Sequence, residues 1–100
     1  MNTNREVKIS VGEPWDVGII ESRIVDEKEG VLMFYTEQPI MVGDIQIRRF
    51  YGTPRHIEKT GVYNFAYIPD VNDYTIDDIT EYEKDWSNVK FLMIGSVKEI

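Results

Sequence analysis

A chain of 100 residues, 42% apolar and 29% charged, holds one domain over residues 1–100 with one modest core. It has no cysteine, which excludes disulfides, thiolate metal sites and cysteine nucleophiles and suits a reducing, cytoplasmic setting. The net charge of −7 (11 basic against 18 acidic residues) argues against a general nucleic-acid binder, and the longest apolar run, Val31–Tyr35, is far short of the ~20 residues of a membrane span.

The polar start, Met1 to Glu6, leads into no signal-peptide apolar region. Val7, Ile9 and Val11 then alternate with Lys8 and Ser10, a half-buried strand. Gly12-Glu13-Pro14-Trp15-Asp16 breaks it, and Trp15 is expected to plug one end of the fold. The β-branched residues of 17–26 predict a second strand, and Glu27-Lys28-Glu29-Gly30 a hairpin loop whose last residue needs positive φ. A third strand follows over 31–36. Pro39 and Gly43-Asp44 bracket a connection to a fourth strand carrying Ile45, Ile47 and Phe50, closed by turn chemistry at Tyr51-Gly52-Thr53-Pro54. Strands are predicted again over 62–68 and 90–97.

Six or seven short strands joined by tight turns point to sequential antiparallel pairing. The expected fold is all-β, a small antiparallel barrel or bent-sheet roll. One exception lies near the C-terminus. Ile76, Ile79, Glu83 and Trp86 fall at helical spacing, Thr75 and Asp78 resemble a capping box, and a short acidic helix of roughly three turns is predicted.

Residues 70–86 hold seven of the 18 acids and a single lysine, and so carry six of the seven net negative charges. Tyr74, Ile76, Ile79, Tyr82 and Trp86 make the same segment amphipathic. Three strand segments, Val31–Tyr35, Val62–Ile68 and Phe91–Ile94, are apolar on both faces. A barrel interior buries one face only, so the other needs a cover: the helix, a foreign chain or a second copy in a homodimer.

The chain lacks a catalytic kit. His56 is the only histidine, no glycine-flanked serine suggests a nucleophile elbow, and the seven glycines lie too far apart for a phosphate loop. The run Asp70 to Glu81 places oxygen side chains at four EF-hand positions, but Tyr74 and Thr75 stand where a ligand and a glycine belong. No metal and no cofactor are expected, and no enzymatic activity. The leading functional expectation is an immunity- or antitoxin-like protein-binding module that docks a basic partner through Asp77, Asp78, Glu81, Glu83, Tyr82 and Trp86. The alternative is an OB- or SH3-like barrel binding single-stranded nucleic acid through Arg48-Arg49-Phe50-Tyr51 and Arg55, where arginines and aromatics interleave. Strand alternation would send Arg48 and Arg49 to opposite faces and split that patch.

Overall fold

Val7 and Ile9 are fully buried while Glu6, Lys8 and Ser10 face solvent, as the period of two requires. This alternation opens a six-stranded sheet in the computed structural model, which describes residues 5–13, 18–54, 61–69, 71 and 73–99. The strands are β1 (Arg5–Glu13), β2 (Ile19–Lys28), β3 (Val31–Val42), β4 (Ile45–Pro54), β5 (Val62–Tyr67) and β6 (Lys90–Glu99). Each pairs antiparallel with the next, and β6 returns to β1, so the sheet closes into an up-and-down barrel. The Pro14–Asp16 break, and with it Trp15, lies outside the described residues.

Two turns set the register by their backbone signs. Lys28 faces Val31 across Glu29 (φ 53°) and Gly30 (φ 84°), the two positive values of a type I′ hairpin. Val42 faces Ile45 across Gly43 (φ 61°) and Asp44, with the glycine first as in type II′. β3 is longer than the sequence suggests and runs past Pro39. Between the pairs Tyr35–Arg49 and Ile40–Ile47, β3 carries three more residues than β4. Pro39 sits in that unpaired stretch, where its missing N–H breaks no ladder bond. The hydroxyl of Ser22 donates to the Tyr35 carbonyl at 2.9 Å, and buried Thr36 lies in hydrogen-bonding reach of the Glu21 and Gln38 carbonyls. These side chains satisfy backbone groups around the irregular stretch.

Aromatic and aliphatic side chains fill the barrel interior. Phe34 and Phe50 stack with ring centroids 5.2 Å apart, and Phe65 meets both edge-on at 5.4 and 5.7 Å. Val7, Ile9, Ile24, Leu32 and Ile47 fill the space around them. Two strand glycines make room. A Cβ on Gly52 would stand 3.1 Å from the Phe65 ring, and one on Gly95 would stand 2.8 Å from the Ser10 carbonyl of β1.

A second, smaller core lies outside the barrel. α1 (Ile76–Tyr82) follows β5, and Tyr74, Ile76 and Ile79 pack onto Met33, Tyr51 and Ile68, with Val25, Val31 and Ala66 at the edge. Burying each of these side chains contributes roughly 1.5–3 kcal/mol, whereas a helix of two turns has no stability alone. The capping box forms as predicted, with Asp78 in place of the usual Glu. Thr75 Oγ1 accepts from the Asp78 amide at 3.3 Å, and the Thr75 amide donates to Asp78 Oδ2 at 2.9 Å. The helix stops a turn earlier than expected. Asp85 Oδ1 accepts from the Ser87 amide and hydroxyl at 3.0 and 2.7 Å, holding the chain in a 3-10 turn over Trp86–Asn88.

Tyr74 and α1 therefore cover part of the barrel's outer face: Val31 and Met33 of β3, Tyr51 of β4 and Ala66 of β5. β6 resolves differently. Its register against β5 skips a residue, from Phe65–Met93 to Ala66–Phe91, which turns Leu92 and Met93 both inward and leaves Phe91 57% exposed.

Two substitutions test this geometry. Gly95→Ala should lower the unfolding free energy by about 1–3 kcal/mol, read from urea denaturation, because the added methyl meets backbone where β1 and β6 close the barrel. Glu29→Asn should raise it by about 1 kcal/mol, since asparagine tolerates the left-handed conformation and glutamate does not.

Candidate functional site

Helix α1 has one face against the barrel, and the acidic residues fall on the other. Asp77, Asp78 and Glu81 are exposed and Glu83, the C-cap, is half-buried. Asp77 pairs with Lys28 at the end of β2, and Glu81 with Lys84 at 3.2 Å; all four side chains are more than half exposed. Such solvent-exposed pairs contribute about 0–1 kcal/mol and exchange partners readily. The Asp77 carboxylate nonetheless raises the Lys28 pKa, chiefly through their hydrogen bond, and hydrogen bonds from Ser87 lower that of Asp85. Tyr82, half-buried, meets Tyr74 edge-on at 6.4 Å, so it braces the helix more than it faces outward. The Trp86 side chain lies outside the described residues.

Between α1 and the β2–β3 hairpin runs a cleft of about 180 Å³. Val31, Ile76 and Ile79 supply apolar wall, while Tyr51, Asp77 and Glu83 bring polar groups to it. The Tyr51 hydroxyl donates to Glu83 Oε2 at 3.1 Å across 32 positions of sequence. No cation pairs with Glu83 among the described residues. Nothing in the sequence flags this contact, because Tyr51 and Glu83 meet only after α1 folds back onto β4.

Burial, followed by the nearby Glu83 charge, pushes the Tyr51 phenol well above its ordinary value near 10, and burial does the same for Tyr74, whose hydroxyl donates to the Arg49 carbonyl at 2.9 Å. Below pH 10 these phenols are neutral in both the folded and the unfolded chain. Above it the unfolded chain ionises while the fold holds them neutral, so stability falls as pH rises. Thermal melts between about pH 9 and 11 should show a declining midpoint, with a shallower slope in a Tyr51→Phe, Tyr74→Phe double variant. Equal slopes would mean that other groups govern the alkaline transition.

The arginine–aromatic run is taken apart by the fold. Phe50 is fully buried in the interior trio and Tyr51 is 2% exposed beneath α1, so neither ring offers a face to a nucleobase. Ile47 and Phe50, three residues apart, both lie in the interior core, so strict alternation is interrupted across Arg48 and Arg49. The Arg48 guanidinium donates to the Glu37 carbonyl. Arg49 and Arg23 each lie 5.7 Å from the centroid of the Tyr35 ring between them. Arg55 and His56 fall outside the described residues, as do Asp70 and Asn72 of the EF-hand-like spacing. Among the described residues no three His, Cys, Asp or Glu side chains gather to hold a metal ion.

A larger groove of about 340 Å³ lies at one barrel end, where Ile20, Pro39 and Ile40 adjoin exposed Ile19 and Met41 (64% and 55%). Ile19, Met41, Phe91 and Ile45 are the large apolar side chains exposed among the described residues. No described helix is long and apolar enough to cross a membrane.

The chain matches no protein-family model, and searches of characterised proteins and of solved structures return no significant match.

Proposed function

We propose that this chain is a non-catalytic protein-binding module, an inhibitor of the immunity or antitoxin kind, that docks a basic partner in the cytoplasm through the outer face of α1. One observation carries the reading: α1 spends its apolar side on the barrel and leaves its carboxylates outward. Ile76 and Ile79 are buried while Asp77, Asp78 and Glu81 stay in water, within a segment that holds six of the seven net negative charges. Carboxylates concentrated on one patch of a rigid body attract and orient a cationic partner before contact. The filled interior supports the same reading, since the Phe34–Phe50–Phe65 cluster occupies the space in which a larger barrel holds a small ligand.

Immobilised protein should retain a basic protein from lysate at low salt and release it as ionic strength rises. A variant carrying Asp78→Asn and Glu81→Gln on the face, with Asp73→Asn at the exposed position ahead of α1, removes charge while leaving Asp77 and Glu83 of the cleft intact. Stopped-flow association with the retained partner should slow by ~10-fold, with dissociation nearly unchanged. An unaltered association rate overturns the acidic-face mechanism.

A further inference from the structure

We propose that the cleft between α1 and the β2–β3 hairpin receives one arginine side chain of the partner. The inference rests on the reading of a basic partner given above, and adds to it the chemical group recognised and the place where it binds.

The cleft suits a long side chain with an apolar stem and a cationic head. Its volume of about 180 Å³ is of side-chain scale, and Val31, Ile76 and Ile79 offer apolar contact along it. The head would meet Glu83. That carboxylate is half-buried and accepts a hydrogen bond from the Tyr51 phenol, a neutral donor, through Oε2. A carboxylate accepts about four hydrogen bonds, so most of its capacity is open to a ligand. Partly removed from water and paired with no cation among the described residues, it stands to gain from one.

The rim already shows that a cation fits here. Lys28 of this chain reaches across to Asp77, which also lines the cleft. Both side chains are more than half exposed, so an incoming group can displace this contact at little cost. Lys28 is an ammonium, and its ion pair is with Asp77. A guanidinium has five donors in a planar fork and can engage the Glu83 carboxylate in two places, or Glu83 together with the Thr80 hydroxyl on the same wall. An ammonium lacks that fork. Arginine is therefore the better match.

The test is a ¹H–¹⁵N NMR titration of the full chain with the peptide acetyl-Gly-Arg-Gly-amide, and with the same peptide carrying lysine or citrulline. The arginine peptide should give saturable shifts at the amides of Val31, Thr80 and Glu83. Citrulline, equal in shape but uncharged, should bind at least ~10-fold more weakly, and lysine several-fold more weakly. Glu83→Gln should weaken the arginine peptide ~10-fold and Tyr51→Phe by less, each with a dispersed spectrum that reports an intact fold. Equal binding of citrulline, insensitivity to Glu83→Gln, or shifts confined to residues outside the cleft would overturn the site. Equal binding of lysine would overturn the guanidinium assignment. The Asp73, Asp78 and Glu81 variant keeps all the cleft carboxylates and should hold the peptide within about twofold. Failure of the cleft and failure of the acidic face are thus read from different proteins.

Discussion

Three phenylalanine rings set the dimensions of this fold. Phe34, Phe50 and Phe65 lie within 5.7 Å of one another, centroid to centroid, and six strands wrap around them. The Phe65 ring lies beside both Gly52 on β4 and Gly95 on β6: a Cβ would press tightly on the ring at Gly52 and would collide with the Ser10 carbonyl at Gly95. Gly52 thus makes room for the large ring, and Gly95 lets β1 and β6 approach closely. The rings occupy the centre, and the cleft beside α1 and the groove at the barrel end both lie on the outer surface.

That surface is organised by a second packing problem. Met33, Tyr51, Val31 and Ala66 point out of the barrel and are apolar or aromatic, and a two-turn helix is the lid that removes them from water. Covering them fixes the helix in rotation, and the rotation decides which side chains remain outside. The acidic face is in this sense a by-product of the hydrophobic one. The cleft beside Glu83 exists because α1 is short and meets the hairpin at its edge without sealing it.

Much of this was legible in the sequence. Alternation in β1, the positive φ at Gly30 and the Thr75–Asp78 cap are local signals, and each is realised where the sequence places it. The two turns are tighter than the sequence suggests, Glu29-Gly30 within a loop expected over 27–30 and Gly43-Asp44 at the end of a connection expected from Pro39. Two-faced apolar strands correctly required a cover. The failures share a cause. Pro39 reads as a stop, yet β3 passes it, because the neighbouring strand makes no ladder bond there. Leu92 and Met93 read as opposite faces until a register skip places both inside. Phe50 and Tyr51 look like a stacking platform beside arginines, and only the closed barrel and the returning helix bury them. The Tyr51–Glu83 bond depends on the same long-range return. Pattern within a short window carries none of that information.

The pairing of Val7 with Glu99 has a topological consequence. First and last strands lie side by side, so the chain path is a ring of six neighbours with no structurally privileged starting strand. Linking the end of β6 to the start of β1 and cutting the chain at the solvent-exposed Gly43-Asp44 turn would keep the order of the six neighbouring strands and the helix between β5 and β6.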